Sequence, residues 1–214
     1  MKILALEFSS SQRSVAIAGK HELREIIEFG VGANAPLTMI DEALRQAELE
    51  REQIDCVVVG LGPGSYTGIR SAIALAQGWQ LGRSVKLLGI SSALCVAVQA
   101  QADGLRGRFN VTIDAQREEF YLATYEISDA GCDEIEPLRI VTHAELQSRV
   151  ENGSALIGPE VARWFPSTMT IYPRALMLCR LALNLNNFIA GQKLEPIYLR
   201  ETKFVKAPPP RIVP

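Results

Sequence analysis
The residues best placed to do chemistry are the nine from Gly60 to Gly68, Gly-Leu-Gly-Pro-Gly-Ser-Tyr-Thr-Gly, set between an apolar run and a helix-forming one. Free N–H groups at a helix start attract anions, so the string suggests a phosphate site. No Lys-Ser/Thr pair follows Gly68, as a P-loop requires. Ser65 stands where a dinucleotide fingerprint has its third glycine, and no acid lies near residue 85. A helix N-terminus alone contributes about 0.3–1 kcal/mol to an exposed anion, too little to hold a nucleotide unaided. The string reads rather as a tight strand-to-helix turn with close backbone packing, or as a partner-binding loop.

Two polar turns offer further groups. Ser9, Ser10 and Ser11 present hydroxyls and N–H groups suited to a phosphate, and Glu7 just before them is a carboxylate suited to a metal. The alternative is an ordinary solvated hairpin tip. Asp114 and Arg117 occupy the matching turn of the second half, as ligand groups or as a surface ion pair. Nucleophilic catalysis has little to build on: Ser65 has no histidine spaced as its base, and no acid pair has an evident role. His21 and His143 form no metal-binding pair, so no metal site is expected. The four cysteines, Cys56, Cys95, Cys132 and Cys179, are tens of residues apart, and three sit in apolar runs as buried free thiols.

The elements that position these groups follow from periodicity. Lys2 to Phe8, Ser14 to Ala18 and Glu22 to Phe29 read as strands, with His21 in a hairpin turn. A helix runs from Pro36 to about Glu48, with Leu37, Ile40, Leu44 and Ala47 on one stripe. Then come a strand from Asp55 to Leu61, a helix from Gly68 to Leu81, a strand from Val85 to Gly89 and a helix opening at Ser91 or Ser92. After the breakers at Gly104 and Gly107 the pattern restarts, with strands from Phe109 to Ala115 and Glu119 to Ile127, a loop from Ser128 to Glu136 and a strand near Leu138. A helix capped by Thr142, a strand from Ala155 to Gly158 and a longest helix from Pro173 to Gly191 complete it. The order implies two α/β lobes with mixed sheets flanked by helices: 1–103 carrying the interaction helices, and a reduced 104–214 with the C-terminal helix and tail.

Charge narrows the class. Twenty-two bases against 24 acids give a net −2, which argues against a stand-alone nucleic-acid binder. The stretch from Lys193 to Arg211 is locally basic, with five bases and two acids. No apolar run approaches the roughly 18 residues of a membrane span, and the opening MKILALEFSSS reads as a core strand rather than a signal peptide, so a cytoplasmic location is expected. Both first-half helices are apolar beyond one stripe, and Gly68, Ala72 and Ala76 form a small-residue row. Such helices are fully buried or meet a partner. The expected interface is Leu37, Ile40, Leu44, Ala72, Ala76 and Trp79, helped by Pro63, Gly64, Ser65, Tyr66 and Thr67.

The strings ILALEFSSSQRSVAI, VVVGLGPGSYTGIRSAIALAQG, LLGISSALCVA, VTIDAQREEFYLATYEI and EPIYLRE, in this order, resemble the TsaB (YeaZ) family of bacterial tRNA threonylcarbamoyladenosine synthesis. The resemblance spans nearly the whole chain, and GPGSYTGIR is its most specific string. It implies an actin-like, Hsp70-like (ASKHA) fold and a noncatalytic role. It implies pairing with a catalytic TsaD paralogue through the first-lobe helices, a TsaE-type ATPase in the assembly and tRNA met only through the complex. A homodimer on the same helix surface is expected when the chain is alone. No cofactor is implied for the isolated chain, and ATP or ADP only at an interface of the complex. The family usually has Asp-Thr-Ser where this chain has Glu7-Phe8-Ser9, and His-Ser near Asn34 to Leu37. The rival class is an actin-like ATPase or glycoprotease-like hydrolase acting alone at Glu7 to Ser11, Asp114 and Arg117.

Overall fold
The computed structural model describes residues 1–20, 23–30, 35–166 and 168–200. The expected His21 turn, Asn34 and the tail beyond Arg200 lie outside these residues. Strands β1 (Ile3–Glu7), β2 (Gln12–Ala18), β3 (Leu23–Phe29), β4 (Cys56–Gly60) and β5 (Lys86–Ile90) form one sheet in the order β3-β2-β1-β4-β5. β1 pairs antiparallel with β2 and parallel with β4, and its five residues are all buried because both faces of the sheet are covered. Residue alternation divides its side chains. Leu4, Leu6, Val15, Ile17, Val57 and Val59 face helices α1 (Pro36–Gln46) and α2 (Tyr66–Gly82). Ile3, Ala5, Ala16 and Val58 face the opposite way.

The second sheet repeats this plan. β6 (Gly107–Asp114), β7 (Glu119–Ile127), β8 (Cys132–Thr142), β9 (Leu156–Gly158) and β10 (Met169–Thr170) stand in the order β10-β9-β6-β7-β8, with the same pattern of parallel and antiparallel neighbours. Helix α4 (His143–Glu151) takes the place of α1, and Thr142 caps it by accepting the Glu145 N–H at 3.3 Å. A short 3-10 turn, Val161–Arg163, stands where the first lobe has α2. The two-lobed actin-like architecture is therefore present, with the second lobe reduced.

Each lobe lends its last helix to the other. α3 (Ser92–Ala102) follows the first sheet but packs Ala93, Val96, Ala97 and Ala100 on Phe109, Val111 and Ala123 of the second. α5 (Ala175–Ala182) follows the second sheet but packs Ala175, Leu178 and Ala182 on the free face of the first. The C-terminal helix expected in the second lobe thus lies on the first sheet.

It is also eight residues long, not the longest helix, a place taken by the 17 residues of α2. Asn184, Asn186 and Asn187 favour turns over continued helix. Beyond them Ile189 leaves the helical path and bonds through its N–H to Leu87 O at 3.0 Å, covering the β5 edge. The loop expected from Ser128 to Glu136 is largely strand, since β8 begins at Cys132. Asp133, Glu134 and Glu136 sit on this edge strand, exposed or ion-paired, as Glu136 is to Arg149 at 2.8 Å.

Candidate functional site
The glycine string forms the seam between β1, β4 and α2. A Cβ on Gly68 would lie 1.9 Å from Phe8 O, one on Gly64 2.1 Å from Ser9 O, and one on Gly60 1.9 Å from the Glu7 carboxylate. Gly64 also holds φ at +144°, where a side chain is disfavoured. These contacts seat the loop directly on the backbone after β1, and the Ser65 N–H donates to Ser9 O at 2.7 Å. Ser65 Oγ accepts the Gly68 N–H at 3.3 Å and caps α2, which begins at Tyr66, two residues before the expected start at Gly68. The Gly62 N–H donates to Ser92 Oγ at 3.1 Å, and the Ser92 N–H returns to Gly62 O at 2.7 Å. The loop before α2 is thus held by its own chain, and the Ser65 cap takes the Gly68 N–H of the helix's first turn.

The serine turn is closed in the same way, by carboxylates of the protein. The Ser9 N–H donates to Glu7 Oε1 at 2.8 Å, and the Ser11 N–H to Glu160 Oε1 at 3.1 Å across the lobes. Ser10 Oγ donates to Gln12 O at 2.8 Å. Glu7, Ser9 and Ser10 are buried. A phosphate at Ser9 and Ser11 would have to displace two carboxyl oxygens already holding those N–H groups, so the arrangement does not fit a metal-nucleotide at these atoms. Glu160, with φ at +57°, has no signal in the sequence beyond following Pro159. In the second-lobe turn Asp114 accepts the Gln116 N–H at 2.7 Å, while Arg117 is exposed at φ +60°. Arg200 donates to Ala115 O at 3.0 Å and to the Glu119 carboxylate, tying the C-terminal segment to that turn.

Glu7 is fully enclosed beneath Gly60, where it accepts hydrogen bonds from the Ser9 N–H and from Ser92 Oγ at 2.9 Å. Burial pushes its carboxyl above the ordinary 4.5, with the Ser9 and Ser92 bonds pulling back. A carboxyl raised in the folded state destabilises the fold when ionised, and the penalty fades as pH falls from the raised value toward 4.5. Glu7→Gln keeps the shape and removes the charge. It is expected to stabilise the chain wherever Glu7 is ionised, with the gain vanishing near the ordinary carboxylate range. Urea melts of both proteins across that window check it.

Cys56, Cys95 and Cys179 are likewise buried, while Cys132 is half-buried. Burial pushes the Cys56 thiol to about 11 and the Cys179 thiol to about 12, and Cys95 Sγ donates to Arg174 O at 3.2 Å. His143 stacks on Phe165 with ring centroids 5.0 Å apart, beside Phe120 and Trp164.

The expected interface residues divide in two. Ile40, Leu44, Ala72 and Ala76 lie in the core between the helices and the first sheet, at 0–4% exposure, so they are not partner-facing. The Gly68, Ala72 and Ala76 row is small because α2 lies close on the sheet at this face. Pro63 is buried, Gly64 is half-buried, and Trp79 packs half-buried against the same core. Leu37, Ser65, Tyr66 and Thr67 are exposed. The outward row of α2 is Tyr66, Arg70, Ala74, Gly78 and Gly82, all exposed, and a Cβ at Gly78 or Gly82 would meet nothing within 4 Å. Leu81 beside it is 90% exposed. This second small row was present in the sequence at the same spacing, two residues further on.

Residues 33–179, more than half of the chain, match the family described as TsaD, tRNA N6-adenosine threonylcarbamoyltransferase. The protein named tRNA threonylcarbamoyladenosine biosynthesis protein TsaB of Haemophilus influenzae is 27% identical over 97% of this chain and 98% of its own length. Its Escherichia coli namesake is 29% identical over 61% of this chain, a match spanning 58% of that protein. The structure of YeaZ from Pseudomonas aeruginosa superposes with a TM-score of 0.79 at 21% identity, over 92% of this chain and 99% of that one. These define a two-lobed, actin-like protein related to the threonylcarbamoyltransferases. Within that class, the chain belongs to the TsaB/YeaZ family.

Proposed function
We propose that the chain is a noncatalytic subunit in the synthesis of N6-threonylcarbamoyladenosine beside the anticodon of tRNAs reading ANN codons. It pairs with a TsaD-type catalytic subunit through the outward faces of α1 and α2. The observation carrying this reading is the seam itself, where Glu7 and Glu160 hold the N–H groups of Ser9 and Ser11 that an actin-like phosphate site would use. The exposed Leu37, Leu81 and the Ala74, Gly78 and Gly82 row support a helix-to-helix contact. A TsaE-type ATPase joins the assembly in the cytoplasm, and tRNA meets this chain through the complex, in keeping with the near-neutral charge. Among the described residues no helix is long and apolar enough to cross a membrane. A hydrolase acting alone would need an activated nucleophile, and among the described residues the Ser65 hydroxyl meets the Gly68 N–H but no histidine or carboxylate that could serve as its base.

In a reconstituted reaction, the TsaD-type subunit, the TsaE-type ATPase, threonylcarbamoyl-adenylate and tRNA are expected to give modified nucleoside at least about tenfold faster with this chain than without it. Equal rates would contradict the proposal.

A further inference from the structure
Past α5 the chain crosses from the first lobe to the second along residues 194–200 without entering a helix or a strand. Three anchors hold this strap. Leu194 packs in the first-lobe core, the Ile197 N–H donates to Leu61 O at 2.9 Å, and Arg200 donates to Ala115 O at 3.0 Å and to the Glu119 carboxylate. Between the last two anchors Tyr198 and Leu199 are 51% and 39% exposed. The Tyr198 ring lies beside Tyr66 at the start of α2, with centroids 6.0 Å apart and planes inclined by 31°. Tyr66 is 58% exposed, and Arg70, one turn further along α2, sets its guanidinium 4.7 Å from the Tyr66 centroid and donates to the Tyr66 hydroxyl. We propose that Tyr198, Tyr66 and Arg70 form a stacking platform for unpaired RNA bases, so that within the complex this chain touches the tRNA directly, a contact that rests on the proposed role in tRNA modification.

The chemistry of the three side chains carries the inference. Aromatic rings and guanidinium planes are the surfaces on which unpaired bases stack, and the adenosine beside an anticodon lies in a loop of such bases. The charge of the strap fits the same ligand: from Lys193 to Arg211 five bases stand against two acids. Arg117, in the turn that Arg200 grips, is exposed. A partner that is both planar and anionic satisfies rings and cations together, and RNA has both properties. The anchors at Leu61 and Ala115 fix the strap on both sides of Tyr198, so binding does not have to order it. The small-residue row of α2 begins at Ala74, one turn beyond Arg70, so RNA on the platform would lie at the edge of the protein pairing and not across it. The near-neutral chain as a whole supplies too few phosphate contacts to hold RNA alone, which confines the contact to the assembled complex.

Fluorescence anisotropy of labelled tRNA, titrated with the preformed complex of this chain and a TsaD-type subunit, tests the platform. Tyr198→Ala is expected to weaken tRNA binding roughly tenfold, and Tyr198→Phe, which keeps the ring, to bind as the wild type does. Tyr198 lies off α2, so light scattering should find the Tyr198→Ala complex as intact as the wild-type one. Ultraviolet crosslinking of the wild-type complex to tRNA should attach RNA to a peptide containing Tyr198 or Tyr66. Crosslinks confined to the TsaD-type subunit would overturn the assignment, as would a loss in Tyr198→Phe as large as that in Tyr198→Ala. Dissociation of the Tyr198→Ala complex would make the tyrosine a protein contact and overturn it too. Equal tRNA affinities for wild type and Tyr198→Ala would overturn the platform alone, whereas absence of any complex with the wild-type chain would overturn the proposed function and the platform with it.

Discussion

Ala72→Arg is expected to leave no folded chain, whereas Gly78→Arg, six residues along the same helix, is expected to fold normally and lose pairing with a TsaD-type subunit. Ala72 is 0% exposed and sits in the core with Ile40, Ala76 and Val59, where a guanidinium finds neither room nor a counter-charge. Burying it unpaired carries a penalty of about 4 kcal/mol or more, comparable to a large share of a domain's whole stability. At Gly78 the added side chain points into open space, and replacing an exposed helical glycine stabilises the helix by up to about 1 kcal/mol. Any loss of pairing in Gly78→Arg therefore reports the surface and not the fold. Thermal melts by circular dichroism, run beside partner titrations, separate the two effects. A well-folded Ala72→Arg chain would contradict the packing of α2, and an undiminished affinity of Gly78→Arg would remove that face from the interface.

The same helix yields a second expectation, in which one substitution has opposite signs at two positions. Gly68→Ala is expected to destabilise by about 3 kcal/mol or more, because its methyl would lie 1.9 Å from Phe8 O. The obstacle is backbone and cannot rotate away, so α2 must lift from the end of β1. That movement strains the Ser65 to Ser9 bond and opens the seam around Glu7. Gly78→Ala meets nothing and should stabilise by about 1 kcal/mol. Denaturation midpoints of the two variants, compared at constant slope, are the check. Equal midpoints would mean that the glycines are not held in place by close approach.

The strands were legible because apolar runs such as Cys56 to Gly60 and alternating ones such as Glu119 to Ile127 state their period directly. The duplicated topology was legible only as an echo, since strand order depends on which edges meet and not on residue type. The exchange of α3 and α5 was not legible at all. An apolar helix face does not say which of two sheets it covers, so α5 was assigned by its place in the chain. α2 carried a related ambiguity: two small rows, Ala72 with Ala76 and Ala74 with Gly78, have the same spacing, and only the packed sheet distinguishes inward from outward. At the seam, Glu7 and the serines were visible as polar residues in a turn. Their closure was not, because it depends on Glu160, which lies 149 residues from Ser11 in the chain. Backbone N–H groups appear in a sequence as available donors until the acid that takes them is located.

The account stands on the pairing of this chain with a TsaD-type subunit, and size-exclusion chromatography with light scattering on the mixed proteins tests it most directly. A stable complex containing both chains is expected with the wild-type protein, and is expected to be lost with Gly78→Arg. Separate elution of the two proteins, with and without nucleotide, would contradict it.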